Sequence, residues 1–525
     1  MIVLMDETKF IKLNHLYGVL KQLDVDILKK FNHPEITDED YFLYGIQNDV
    51  TANALNILVN YLTGNIESLG VDNSCRMILE ALTILAMNSK GDITAIQKTI
   101  YRYSYTYVDL DNFRLLITEA RLQEEQFNVV KADRTQCANY IKEHFRCRDK
   151  DISKYKNVFN DPCFYLKKDL TDKIKFAKLI EKYFPKDLDK SQLYEFFSIM
   201  VHPRCEIDPE VEAAIMEMRQ CFVDKVLDLV TDFLVKNNFL SLPETNSDFN
   251  CDFFMNPLLI NNVNNIKQME YTFNLSIIKI CKCSDGCDWV TRFFLDKIKY
   301  LVLDMLTSLS LGYTEHVIAS FVPFLELYSI YYTISTHEDL DEFKYLKKGY
   351  WILSRLQINE HLKKYHLITN DYDCKDELQA LYDAYYASRY KVNSFDEFYD
   401  KCQHDGLYFL DHSGKSFNQF VNETLKGVTL DESQSKEFYV LYKIARDMAH
   451  ASGYNFNATA DLIRVTSHKV IYATFYLILQ LLLNISATFE EHNKIVDLSN
   501  IIEFFKQQLQ IQVEAINEIF KNYAS

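Results

Sequence analysis

Two short phrases in the sequence place a histidine eight residues after a tyrosine. The first is YEFFSIMVHP, in which Tyr194, Ser198 and His202 recur at four-residue steps. On an α-helix this spacing puts the three side chains along one side. An imidazole in such a place titrates near neutrality and can take up or release a proton. The alternative is a buried hydrogen-bond network that fixes how the helix packs.

The second phrase is YKIARDMAHA, which carries Tyr442, Arg446 and His450 at the same spacing. A guanidinium beside an imidazole can hold a phosphate or carboxylate while the imidazole transfers a proton. We therefore predict a catalytic set of Arg446 and His450, with Tyr442 and Asp447 orienting them. A structural network is again the alternative.

The elements that position these residues are predicted to be helices. Apolar residues recur at steps of three and four almost throughout the chain, which is the helical period. The 525 residues include only 12 glycines and 8 prolines, whereas average usage is about 7% and 5%. The segment 75–88 is predicted to be a helix capped by Asp72 or Ser74. Another helix is predicted to start after Pro209. The fold class is all-α.

The order of the predicted helices repeats, with His202 matched to His450 at an offset of 248 residues. An early apolar helix, 75–88 or 315–332, precedes each Tyr–His phrase, and a long apolar helix follows it. Arg76 would correspond to His316, at an offset of 240. We expect two related helical bundles from a duplicated unit. The predicted boundaries are 1–240 for the first domain, 241–265 for an Asn- and Ser-rich linker with two prolines, and 266–525 for the second, divergent copy.

The first phrase and the upstream helix RMILEALTIL resemble a family of uncharacterised bacterial helical proteins. That family pairs an Arg-x3-Glu helix with a later Tyr-x3-Ser-x3-His helix. Arg76 and Glu80 match the early helix, and His316 and Ser320 stand in their place in the second half. The resemblance implies that the first half holds a polar binding cluster. Its members would be Arg76, Glu80, Tyr194, Ser198 and His202.

The second phrase resembles the HEPN group of helical ribonucleases and nucleotide-binding modules. Their signature is an arginine and a histidine separated by four to six residues, and RDMAH (446–450) has three between them. The resemblance implies ribonuclease activity without a metal or other cofactor. Arg446 would steady the scissile phosphate, and His450 would move the proton of the ribose 2′-hydroxyl. It also implies a place among bacterial toxin and phage-defence proteins.

The net charge and the absence of several sequence motifs disfavour other classes of function. A net charge of −17 disfavours general DNA binding and anionic membranes, although a local basic pocket leaves RNA open. No phosphate-binding glycine loop or zinc-protease motif is present. Cys281, Cys283 and Cys287 lack an obvious fourth ligand, so no metal is expected.

Two further features bear on location and packing. The stretch MIVLMDETKF meets acidic residues too early for a secretory leader, so a cytoplasmic protein is expected. The uncharged stretch 470–489 is long enough to cross a bilayer, but we interpret it as a central buried helix. The tyrosines of 382–390 are predicted to pack in the core.

Two functions from different classes remain open at this stage. One is the HEPN-like ribonuclease described above. The other is a non-catalytic helical scaffold whose Tyr/His clusters are structural and whose surface binds a protein partner or a second copy of itself.

Overall fold

The protein is all-α. A computed structural model describes residues 7–31, 33, 35–63, 68–103, 135–136, 138–143, 146, 176–183, 188–201, 209–237, 239, 257–283, 289–310, 312–335, 345–356, 375–404, 409–410, 416–429, 431–448, 460–491 and 497–524. Within these ranges every regular element is a helix, and none is a strand. The scarcity of glycine and proline explains this, because both interrupt long helices. His202 and His450 lie outside the described residues.

The N-terminal half is built from seven named helices around one hydrophobic core. They are α1 (Glu7–Phe31), α2 (Asp38–Thr63), α3 (Leu69–Ser89), α4 (Ala95–Tyr103), α5 (Phe176–Tyr183), α6 (Leu188–Met200) and α7 (Pro209–Lys236). Helix α3 packs on α2, α6 and α7, so it lies at the centre of the half.

The C-terminal half surrounds a second hydrophobic core. Its helices are α8 (Pro257–Cys283), α9 (Trp289–Ser310), α10 (Thr314–Ala319), α11 (Phe321–Ser335), α12 (345–356), α13 (Lys375–Leu381), α14 (Phe395–His404), α15 (Phe417–Val428), α16 (Glu432–Met448), α17 (Ala460–Glu491) and α18 (Ser499–Ala524). Helix α13 continues through a π turn, Tyr382–Tyr386, to Arg389.

The helices of the two halves pack in the same order. Helix α1 contacts α2 as α8 contacts α9, and α3 contacts α6 as α10 and α11 contact α16. Helix α7 contacts α2 and α3, and helix α17 contacts α9, α10 and α11. Helix α18 packs on α17 and extends the second half.

Two predicted boundaries differ from the observed ones. Helix α8 starts at Pro257, so residues 257–265 of the predicted linker are helical. Proline is accommodated there because the first turn of a helix needs no backbone N–H partner. Helix α3 starts at Leu69 with Ser68 as its cap, the Ser68 side chain accepting from the Gly70 N–H. The predicted caps Asp72 and Ser74 instead lie within the helix, where both are buried. Arg219 of α7 donates to Asp72, and Asn56 of α2 donates to Ser74.

Two other expectations concern apolar segments. Tyr382, Tyr385, Tyr386 and Tyr390 are all buried, as predicted. By length and composition alone, two helical stretches in the described ranges could cross a membrane: 314–335 and 464–487. Most of each stretch is buried against the rest of the protein.

Candidate functional site

The structure brings together four of the five residues of the predicted binding cluster. Glu80 is buried on α3, and the Tyr194 hydroxyl of α6 donates to its Oε1 at 3.2 Å. Arg76, one turn before Glu80, places its Nε 3.9 Å from the same oxygen. Its Nη2 donates to Asn73 Oδ1 at 2.9 Å. Ser198 lies one turn along α6 from Tyr194.

This cluster, which we call the α3–α6 cluster, is a buried set of charges that neutralise one another. Burial raises the pKa of Tyr194, and the negative charge of Glu80 adds to the rise, whereas Arg76 and Ser198 oppose it. The phenol therefore stays protonated at neutral pH and acts as a hydrogen-bond donor. A carboxylate, a guanidinium and a phenol held in this way stabilise the α3–α6 contact.

The predicted catalytic residues Tyr442, Arg446 and Asp447 all lie on α16 of the second half. Tyr442 is buried on α16, whereas Arg446, one turn later, is exposed and donates to Asn418 Oδ1 of α15. Burial raises the pKa of Tyr442, with Glu326 of α11 adding to the rise and Arg446 opposing it. Asp447 belongs to α16. The position of His450 lies outside the described residues.

Both clusters combine a glutamate, a tyrosine and an arginine, but the arginine comes from different helices. Glu326 follows Glu80 by 246 residues, and Tyr442 follows Tyr194 by 248. The arginine lies on the glutamate's helix in the first half, as Arg76, and on the tyrosine's helix in the second, as Arg446. Arg76 and Glu80 are in contact, whereas Arg446 donates to Asn418 and Glu326 is half-buried. The offset of 246 differs from the 240 that matches Arg76 to His316, and the correspondence between the halves stays a prediction.

We predict that an arginine on α6 can replace Arg76 of α3 as the cation beside Glu80. Arg76→Val leaves Glu80 without its nearby cation and should lower the free energy of unfolding by about 3 kcal/mol. Adding Ser198→Arg copies the second-half arrangement and should recover at least half of that loss. Urea unfolding of the single and double variants measures both. A double variant less stable than Arg76→Val would contradict the prediction.

A second buried polar group joins the two halves, and we call it the central network. Asn60 Nδ2 of α2 donates to Asp304 Oδ1 of α9 at 2.7 Å, and Ser320 Oγ donates to Asp304 Oδ2 at 2.9 Å. Ser308 Oγ donates to Asn56 Oδ1 at 3.1 Å. Asn56 Nδ2 in turn donates to Ser74 Oγ at 3.0 Å.

Asp304 is the one carboxyl within the central network. Burial raises its pKa to about 6, against the hydrogen bonds from Ser320, Asn60 and Ser68. A carboxyl that binds its proton more tightly in the folded chain adds stability at low pH. That contribution is lost as the pH rises through about 6.

Two other buried groups flank the central network. Burial lowers the pKa of His316 to about 4, so the ring is neutral at pH 7 and its Nε2–H donates to the Ala52 carbonyl at 2.8 Å. The second group is an ion pair, in which Arg219 of α7 donates twice to Asp72 of α3, at 3.0 Å for each bond. Both residues of this pair are buried, and burial raises the pKa of Asp72 while Arg219 opposes the rise.

Neither the central network nor the Asp72–Arg219 pair was predicted from the sequence. A signal for the first existed: Asn53, Asn56 and Asn60 recur at helical spacing in the apolar helix α2, and Asp304 interrupts the apolar run of α9. The ion pair left no such signal, because 147 residues separate its members.

The described residues show no metal centre, and the chain has no detected relative. Among the described residues, no group of three or more His, Cys, Asp or Glu side chains could hold a metal ion. No protein-family model matches the chain, and neither curated proteins nor solved structures give a significant match.

Proposed function

We propose that the protein is a non-catalytic helical scaffold that binds a protein partner through its surface. The observation that carries this proposal is the burial of Glu80 against Arg76 and Tyr194 in the α3–α6 cluster. A catalytic centre needs its groups in one geometry, whereas a buried carboxylate needs only a nearby opposite charge and hydrogen bonds. Glu80 has both, from Arg76 and Tyr194, and this arrangement fits a structural role.

The surface of the second half supports the binding part of the proposal. Tyr271 of α8 is 68% exposed and Ile278, seven residues later on the same side, is 51% exposed. Large apolar side chains exposed together on one helix face are typical of protein-binding surfaces. The partner is another protein or a second copy of the chain.

A second candidate is the metal-independent, HEPN-like ribonuclease of bacterial toxin or defence systems. The observation that favours it is the exposure of Arg446 near the end of α16, four residues before His450. In that position the guanidinium could reach an RNA phosphate. His450 would then act on the ribose 2′-hydroxyl.

One experiment separates the two functions. Wild type, Arg446→Ala/His450→Ala and the control Arg464→Ala, which removes another exposed arginine, are expressed in a bacterial host. The scaffold proposal expects equal growth and intact cellular RNA for all three, with a lower melting temperature for the double variant. Growth arrest and RNA loss with wild type and the control, but not with the double variant, would overturn it in favour of the ribonuclease.

A further inference from the structure

Among the hydrogen bonds that cross between the two halves, two side-chain bonds form a reciprocal pair. An offset of 248 residues carries position 56 onto 304 and position 60 onto 308. Asn60 binds Asp304, and Asn56 binds Ser308. Each residue of the first half therefore contacts the counterpart of the other. Such reciprocity is the mark of an interface with two-fold symmetry.

The bonds within each half follow the same relation. Asn56 of α2 is joined to Ser74 of α3, and Asp304 of α9 is joined to Ser320 just before α11. Ser320 follows Ser74 by 246 residues, the same offset that relates Glu326 to Glu80. The four hydrogen bonds thus form two equivalent sets, each consisting of one bond inside a half and one between halves.

The hydrophobic cores show the same exchange. Leu69, at the start of α3, packs in the core of the C-terminal half. Tyr313, just before α10, packs in the core of the N-terminal half. Each half therefore contributes a side chain, from the segment that enters its central helix, to the core of the other half.

From these observations we infer that the surface between the halves is a symmetric dimer interface within one chain, built by two copies of one helical unit about a pseudo-two-fold axis between Asn56 and Asp304. The partner that each surface fits is a second copy of the same unit. The inference is independent of the proposed function, since a ribonuclease and a scaffold can both arise by fusion of a dimer.

If positions 56 and 304 are equivalent, exchanging their residues in the full-length chain should preserve its stability. Asn56→Asp/Asp304→Asn moves the carboxylate to the equivalent position, where Ser74, Ser308 and Asn60 can donate to it. The matched control, Asn60→Asp/Asp304→Asn, moves the same carboxylate to a position that symmetry pairs with 308 instead. A second exchange, Asn60→Ser/Ser308→Asn, swaps the other equivalent pair without moving a charge.

Thermal unfolding of the three variants decides the inference. Both exchange variants should melt within about 3 °C of wild type, because each side chain meets the partners of its counterpart. The control should melt at least about 5 °C lower, because its buried carboxylate faces the amide of residue 304 but loses the serine donors that surround positions 56 and 304. If neither exchange variant is more stable than the control, the two positions are not equivalent and the inference fails.

Discussion

Arg219→Ala is expected to lower the free energy of unfolding by about 3–5 kcal/mol, because it leaves a buried carboxylate without its counter-charge. Only 2% of the Arg219 side chain is exposed and none of the Asp72 side chain. Both carboxylate oxygens accept from the guanidinium. Water cannot take the place of the lost partner without opening the contact between α3 and α7.

Two control variants distinguish the loss of a buried charge pair from the loss of any ion pair that α7 makes. Lys9→Ala, on α1, removes the partly exposed ion pair with Asp224 of α7. This change should lower the free energy of unfolding by less than about 1 kcal/mol. Asp72→Leu/Arg219→Met replaces both buried charges and should recover most of the stability lost in Arg219→Ala. Urea unfolding measures all three, and equal losses in Arg219→Ala and Lys9→Ala would refute the assignment.

Gly70→Ala is expected to lower the free energy of unfolding by about 2–4 kcal/mol, because α3 touches the central network at this glycine. A Cβ at position 70 would lie 2.0 Å from Asp304 Oδ2 and 2.8 Å from its Cγ. Asp304 cannot turn away without breaking its hydrogen bonds to Asn60 and Ser320. Either α3 moves or the bonds between the halves are lost.

Gly18→Ala is the matched control, since it also adds one methyl group to a helical glycine. Apart from the backbone of α1 itself and the two neighbouring residues, no atom of the described residues lies within 4 Å of the Cβ position at residue 18, so the change should stabilise α1 by up to about 1 kcal/mol. Calorimetry of both variants gives the comparison. A Gly70→Ala variant as stable as Gly18→Ala would show that α3 and α9 are not in close contact.

Local pattern predicted the helices well but not the residues that join them. Apolar spacing gave the all-α class, and the Asp–Pro signal gave the start of α7 at Pro209. The same local rules made Asp72 and Ser74 caps, because a cap and a buried network both use short polar side chains. Only the tertiary contacts to Arg219 and Asn56 separate the two interpretations.

The candidate sites show a similar division. Helical spacing placed Tyr194 beside Ser198, and the Arg-x3-Glu pattern placed Arg76 beside Glu80, and the structure places the two pairs in one cluster. The match between the halves stays a prediction, with His202 placed against His450 at an offset of 248 and Arg76 against His316 at 240. Helices carry few features that fix such an offset, so a slip of several residues leaves the apolar pattern intact.

The exchange of Leu69 and Tyr313 between the two cores has a consequence for how the protein loses its structure. Neither core is complete without a side chain from the opposite half. Melting one of them therefore removes a packed residue from the other and breaks the hydrogen bonds around Asp304. The chain has two cores but should unfold in a single cooperative transition, as one foldon rather than two independent ones.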